Sequence, residues 1–128
     1  MPSDTLANKP QILVVEDDQD TLEAIAAILD MEGFAVLTAG NGQEALELLE
    51  IHNPSVVLLD LMMPVLSGWE FLRHRKIRPQ LAKIPVILTS AVMDIAAGAE
   101  AEGADAVLRK PVNVASLVGL VRQLSSSA

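Results

Sequence analysis

Short apolar runs alternate along this chain with longer stretches whose apolar residues recur at helical spacing. Five short runs, rich in Val, Ile and Leu, predict strands at residues 11–15, 34–38, 55–60, 85–90 and 106–109. The stretches between and after them predict helices at residues 21–31, from the cap Asn41 through Leu49, at 69–76, at 93–102, and from the cap Asn113 through Leu124. Strict alternation of this kind predicts an α/β fold in which helices cover both faces of a parallel sheet.

The composition indicates one globular domain with an aliphatic core. The chain has 128 residues, of which 51% are hydrophobic and only 2% aromatic. We assign residues 11–124 to the domain, 1–10 to a polar lead-in and 125–128 to a tail. Because the chain has no cysteine, disulfides, thiolate metal sites and cysteine nucleophiles are excluded.

The net charge of −8 predicts which partners the domain avoids. An acidic surface repels the phosphates of nucleic acid and of anionic membranes, so we expect neither as a partner. No apolar run approaches the roughly 20 residues that a membrane helix needs, and the first residues do not resemble a secretory signal. We therefore expect a cytoplasmic protein.

Chemically active side chains follow four of the predicted strands. Glu16 and Asp17 follow the first strand, Asp60 ends the third, Ser90 ends the fourth, and Lys110 follows the fifth. Ligands of parallel α/β sheets bind at the carboxyl ends of the strands, so we expect these groups to converge there. Crowded carboxylates repel one another unless a cation joins them, and an all-oxygen site favours Mg²⁺ or Mn²⁺.

These groups together can hold a phosphoryl group on a carboxylate. Asp60 can act as the nucleophile, because aspartyl phosphates form in this way and their formation depends on positioning and charge neutralisation. Lys110 supplies a compact positive charge, and Ser90 supplies a hydroxyl donor.

The stretches ILVVEDD, VVLLDLMMPVLSGWEFL, IPVILTSA and GADAVLRKP, in this order and spacing, resemble the receiver domains of two-component response regulators. The resemblance covers roughly residues 11–124 and implies the doubly wound (βα)5 flavodoxin-like fold with strand order 2-1-3-4-5, an order that is illustrated by this family. It implies that Asp60 is the phosphoacceptor and a metal ligand. Asp17 would be the direct metal ligand, Glu16 an acidic partner acting directly or through water, and the backbone carbonyl of Met62 a further ligand. Lys110 would pair with the phosphoryl oxygens.

The resemblance also assigns the residues around the fourth and fifth strand ends. Ser90 corresponds to the switch hydroxyl and Ala91 to the small residue after it, because Ser90 lies five positions after Pro85, the family's usual distance. Thr89 is the competing choice, although strand alternation places the two hydroxyls on opposite faces. Pro111 implies a cis peptide bond after Lys110.

Two positions depart from the family pattern. Val107 occupies the place of the switch aromatic, three positions before Lys110, and Val112 occupies a place where Phe is common. The stretch between Ser90 and Lys110 is also about two residues shorter than the family leads us to expect. These departures leave the phosphorylation chemistry intact and change how the signal is read out.

Outside the predicted site, two features are interpreted as ordinary surface. Asp18 is predicted to be an acid of the first turn of a helix rather than a metal ligand. The one basic cluster, Arg73, Arg75, Lys76 and Arg78, is predicted to be a solvated helix face that could meet an acidic partner.

The predicted function is a phosphorylation switch rather than an enzyme, with at most slow self-catalysed phosphorylation and dephosphorylation. The donor would be a sensor histidine kinase or a histidine phosphotransfer protein. A downstream protein would bind near the fourth predicted helix, the fifth strand and the last helix, and the domain would be a monomer or weak dimer. A receiver-like interaction module that takes no phosphate is the alternative. A dehalogenase-like phosphatase is disfavoured because Met62 stands where such enzymes carry a second acid, and a flavin module because the acidic residues 16–18 would repel its phosphate.

Overall fold

The computed structural model describes residues 9–63, 65–91 and 103–126, which form a parallel five-stranded sheet flanked by helices. The strands are β1 Gln11–Val15, β2 Ala35–Ala39, β3 Val56–Asp60, β4 Val86–Ser90 and β5 Ala106–Arg109. The helices are α1 Gln19–Met31, α2 Gly42–Leu48, α3 Gly68–Ile77, the short α4 Pro79–Ala82, and α5 Val114–Ser125. The strand order β2-β1-β3-β4-β5 confirms the predicted fold.

Two apolar clusters cover the two faces of the sheet. On one face α2, α3 and α4 pack through Leu46, Phe71 and Leu81, among others. On the other face α1 and α5 pack through Leu29 and Leu117. Every residue of β3 and of β4 is buried, as their continuous apolar sequences predicted for strands covered on both sides.

The element boundaries follow the predictions closely, with physical reasons for the shifts. α1 begins at Gln19, two residues earlier than predicted, because the Asp18 carboxylate caps it by accepting a hydrogen bond from Thr21 N. Hydrogen bonds from the Thr21 hydroxyl and backbone lower the pKa of Asp18. α4, which begins with Pro79 after the end of α3, was not predicted. The predicted helix at 93–102 lies outside the described residues.

Local capping signals in the sequence are confirmed. The side chain of Asn41 accepts a hydrogen bond from Glu44 N at 2.8 Å, and that of Asn113 accepts one from Ser116 N at 2.9 Å. Gly33 adopts a φ of 96° just past α1, a conformation that glycine reaches at little cost. These short-range bonds fix where the helices begin and end, and therefore where the loops at the strand ends lie.

Gly68, the first residue of α3, brings this helix against the segment that follows Asp60. A Cβ atom at Gly68 would lie 2.8 Å from the Cα of Leu61. We expect Gly68→Ala to lower the free energy of unfolding by about 1–3 kcal/mol, because the backbone must shift to relieve this overlap. Urea unfolding monitored by circular dichroism measures the change.

Gly119 in α5 provides the matched control, because a Cβ atom there would meet nothing within 4 Å. We expect Gly119→Ala to raise the free energy of unfolding by about 0.5–1 kcal/mol through better helix propensity. Equal effects of the two substitutions would contradict the close approach of α3 to Leu61.

Candidate functional site

Three carboxylates meet at the carboxyl edge of the sheet. Each of Glu16, Asp17 and Asp60 offers one oxygen, and these oxygens all lie within 4.8 Å of one another. Glu16 and Asp17 directly follow β1, and Asp60 is the last residue of the neighbouring strand β3. Glu16 and Asp60 are only 4% and 6% exposed, whereas Asp17 is exposed. The sheet order thus brings together the acidic residues that the sequence singled out.

Lys110 joins this cluster from the end of β5. Its Nζ atom lies 3.2 Å from Oε1 of Glu16 and 3.2 Å from Oδ2 of Asp60. Partial burial by itself lowers the pKa of Lys110, but the hydrogen bond to Glu16 and the attraction of Asp60 and Glu16 outweigh it, and the net effect is a raised pKa. The amine is therefore a fixed positive charge at neutral pH, placed between two buried carboxylates.

The remaining oxygens of the two buried carboxylates contact backbone N–H groups of the adjoining loops. Asp60 Oδ1 accepts a hydrogen bond from Met62 N at 3.3 Å, and Glu16 Oε2 accepts one from Asp18 N at 3.2 Å. Backbone bonds from Leu61 N to Thr89 O and from Gly68 N to Leu61 O hold the segment after Asp60. Glu16 and Asp60 are thus held in place as acceptors, whereas Asp17 is exposed at the same edge of the sheet.

This arrangement suits a divalent cation bound through oxygen. Three carboxylates face a single ammonium group, so the cluster carries an excess of negative charge that a cation would neutralise. Hard cations such as Mg²⁺ prefer carboxylate and carbonyl oxygens and retain several waters. The role of the Met62 carbonyl as a further ligand stays a prediction; its side chain is 63% exposed.

The two candidate hydroxyls lie in β4 and are both buried, Thr89 at 4% and Ser90 at 1% exposure. Thr89 is paired in register with Asp60, and the carbonyl of Ser90 accepts a hydrogen bond from Lys110 N at 2.8 Å. Burial therefore does not decide which of the two is the switch hydroxyl, and the choice of Ser90 stays a prediction. Ala91, the residue after it, is exposed.

The peptide bond between Lys110 and Pro111 is cis, as predicted. Val107 is half-buried in β5 and packs against the cluster on the α2, α3 and α4 face.

Arg75 corrects the interpretation of the basic cluster as a solvated face. Its side chain is buried, whereas Arg73 and Lys76 are exposed as predicted. A signal was present in the sequence: Arg75 follows the buried residues Phe71 and Leu72 at helical spacing and so lies on the apolar face of α3. The prediction was wrong because four cations close together were interpreted as one surface.

A family of known proteins matches almost the whole chain. The sequence model described as "Response regulator receiver domain" matches residues 12–122. The transcriptional regulatory protein PrrA of Mycobacterium bovis is 40% identical over 124 residues, covering 94% of this chain and 52% of PrrA. CpxR of Klebsiella pneumoniae is 38% identical over 117 residues, covering 89% of this chain and 48% of CpxR. The chain thus spans about half the length of these curated relatives.

Solved structures of receiver domains share the fold of this chain. The receiver domain of a signal transduction histidine kinase from Syntrophus aciditrophicus superposes with a TM-score of 0.84 at 31% identity, covering 93% of this chain and 92% of that one. The receiver domain of a sensor histidine kinase from Pseudomonas aeruginosa superposes with a TM-score of 0.84 at 25% identity, covering 93% and 99%. That structure has a magnesium ion coordinated in its active-site cleft.

Among the helices of the described residues, none combines the length and apolar character needed to cross a membrane. The strand order of the sheet, the acidic cluster at its carboxyl edge and the sequence match over residues 12–122 all point to the same family. The chain therefore belongs to the response regulator receiver domain family of two-component systems.

Proposed function

We propose that this domain is a phosphorylation switch in which Asp60 accepts a phosphoryl group from a histidine kinase or a histidine phosphotransfer protein. The observation that carries the proposal is the placement of Lys110 Nζ 3.2 Å from both Asp60 and Glu16, inside a cluster of three carboxylates. A lysine held there is positioned to pair with an incoming phosphoryl group on Asp60.

Mg²⁺, or Mn²⁺, is the proposed cofactor. Asp17 and Asp60 would bind it directly, Glu16 directly or through water, and the Met62 carbonyl would complete the protein ligands. When bound, the cation would neutralise charge on the acidic cluster and on the phosphoryl oxygens. The magnesium ion in the cleft of the Pseudomonas aeruginosa relative supports this assignment.

In the proposed reaction, an oxygen of the ionised Asp60 carboxylate attacks the phosphorus atom. The bond from phosphorus to the donor's histidine nitrogen breaks, and the electron pair of that bond stays on the histidine, which takes a proton from solvent. Lys110 then pairs with a phosphoryl oxygen. The hydroxyl of Ser90, or of Thr89 in its place, would donate a hydrogen bond to a second phosphoryl oxygen. The small side chain of Ala91 would leave room for the phosphoryl group.

The added charge would be read by a protein partner. The proposed surface comprises the predicted helix at 93–102, which lies outside the described residues, together with β5 and α5. Because Val107 replaces the usual aromatic, the readout would not use rotation of an aromatic ring. Any catalytic activity would be limited to slow self-catalysed phosphorylation and dephosphorylation. The domain would be cytoplasmic, and it would be a monomer or a weak dimer.

The direct test is incubation with acetyl phosphate and Mg²⁺, followed by intact mass spectrometry. We expect one phosphoryl group per chain with Mg²⁺ and none with a chelator, because charge in the acidic cluster must be neutralised before an anion can approach. Isothermal titration with Mg²⁺ measures metal binding separately.

The second candidate, which Val107 in the place of the usual aromatic leaves open, is a receiver-like interaction module that takes no phosphate. No added mass with Mg²⁺ and no binding of beryllofluoride, on protein whose folding is verified by circular dichroism, would support that candidate and contradict the switch.

A further inference from the structure

Arg75 is a buried cation that links α3 to the starts of two strands. Its Nε atom donates a hydrogen bond to Ile84 O at 3.0 Å, and its Nη1 atom donates to Gly103 O at 2.6 Å. Its Nη2 atom donates to Ala82 O at 3.3 Å and to Asp105 Oδ2 at 3.1 Å. Ala82 is the last residue of α4, Ile84 lies between α4 and β4, and Gly103 and Asp105 lie just before β5. A guanidinium group, with its fixed fork of donors, can join several acceptors rigidly at once.

Asp105 extends this link into the sheet. Its Oδ2 atom also accepts a hydrogen bond from Val86 N at 2.8 Å, and its backbone N donates to Val86 O at 2.9 Å. Val86 is the first residue of β4, and Asp105 directly precedes β5. Arg75 and Asp105 therefore hold the two strands side by side at the point where their pairing begins.

The pairing of β4 with β5 decides where Lys110 lies. The register runs from Ile87 opposite Ala106 to Ser90 opposite Arg109, and Lys110 N then bonds to Ser90 O. A slip of one residue would move Lys110 along the strand by about 3.3 Å and turn its side chain to the other face. Lys110 would then no longer reach Asp60 and Glu16.

The apolar pattern of β5 by itself specifies this register weakly. The strand has only four residues and lies at the edge of the sheet. Ala106 and Leu108 pack against one cluster and Val107 against the other, so apolar side chains face both sides. A slipped strand would still bury apolar groups, and a polar bond at its start is needed to distinguish the correct pairing.

We infer that Arg75 is a positioning residue that, through Asp105, sets the register of β5 and thereby places Lys110 at the phosphoacceptor. This inference rests on the proposed function of Asp60 and Lys110. Arg75 lies at the opposite end of β5 from Lys110 and acts only through the strand.

Arg75→Gln tests this role, with Arg73→Gln as the matched control, because Arg73 is an exposed arginine on the same helix. We expect Arg75→Gln to slow phosphorylation by acetyl phosphate roughly tenfold, a magnitude typical of coupled residues. Mg²⁺ affinity should not fall, since the predicted carboxylate ligands directly follow β1 or end β3, whereas the acceptors of Arg75 precede β4 and β5. Arg73→Gln should change neither quantity.

The double variant Arg75→Gln, Lys110→Ala distinguishes positioning from loss of stability. If Arg75 acts through Lys110, the double variant should react no more slowly than Lys110→Ala alone. An equal slowing by Arg75→Gln in both backgrounds would overturn the inference. Asp105→Ala removes the same link at a partly exposed position and serves as the second variant should Arg75→Gln not fold.

Nuclear magnetic resonance measures the register without phosphate. Nuclear Overhauser effects between Ile87 and Ala106 should be present in the unsubstituted protein and should shift to other residue pairs or disappear in Arg75→Gln. An unchanged pattern in the variant would overturn the inference even if Asp60 accepts phosphate. Failure of the unsubstituted protein to accept phosphate, together with an altered strand pairing in the variant, would overturn the proposed function and leave the register effect established.

Discussion

The Asp60→Asn variant is expected to gain no phosphoryl group from acetyl phosphate under conditions where the unsubstituted protein gains one. An amide is not a nucleophile of this kind and cannot form the acyl phosphate. The substitution also removes one of three crowded carboxylates, so folding should not suffer. Intact mass spectrometry and thermal unfolding of the same samples measure both quantities.

Asp18→Asn is the matched control for this experiment. It removes a carboxylate from the same edge of the sheet, but Asn retains the ability to cap α1. Because Asp18 is exposed and its charge is screened by salt, we expect the Asp18→Asn protein to be phosphorylated at a rate within about twofold of the unsubstituted protein. A phosphoryl group found on the Asp60→Asn protein would refute the assignment of Asp60.

Lys110→Ala is expected to lower the rate of phosphorylation by about 10²–10³-fold, comparable to the loss of one preorganised donor from a transition-state site. The reason is that the Nζ atom, now 3.2 Å from Asp60, would no longer neutralise the phosphoryl oxygens. Mg²⁺ affinity should not fall, because removing a positive charge leaves the three carboxylates more negative. Rates measured by mass spectrometry across acetyl phosphate concentrations, with Mg²⁺ titrations alongside, separate the two effects.

Arg109→Ala provides the control, because Arg109 is the neighbouring cation but is exposed. Lys110→Arg should recover only part of the rate, since the planar guanidinium is larger and orients its donors differently from an ammonium group. Equal rates for Lys110→Ala and Arg109→Ala would show that Lys110 contributes only general charge.

Sequence patterns predicted the sheet, its flanking helices and the residues of the site, because these patterns have local causes. Strands buried on both faces require continuous apolar runs, and the runs at β3 and β4 are nearly unbroken. Helix caps need a polar side chain three residues before its partner, as at Asn41 and Asn113. The strand order and the role of Asp17 as the direct metal ligand came from resemblance to a family, whereas the roles of Asp60 and Lys110 also followed from their chemistry and their place at the strand ends.

Two features, the contact between Lys110 and Glu16 and the burial of Arg75, could be found only in the folded chain. Lys110 and Glu16 are separated by 94 positions in the sequence, and their contact exists only because β5, β4, β3 and β1 lie side by side in register. The sequence could name both residues, but their separation of 3.2 Å depends on the whole sheet.

Arg75 shows the same limit more clearly. By itself the sequence determined that an arginine follows Phe71 and Leu72 on one helix face, beside two exposed cations. Only the tertiary structure decided that this arginine is buried, because its acceptors at Ile84, Gly103 and Asp105 come from segments 9 to 30 positions away. Burying a charge is costly unless its donors are satisfied, and the acceptors that satisfy Arg75 are assembled by the packing of α3 against the starts of β4 and β5.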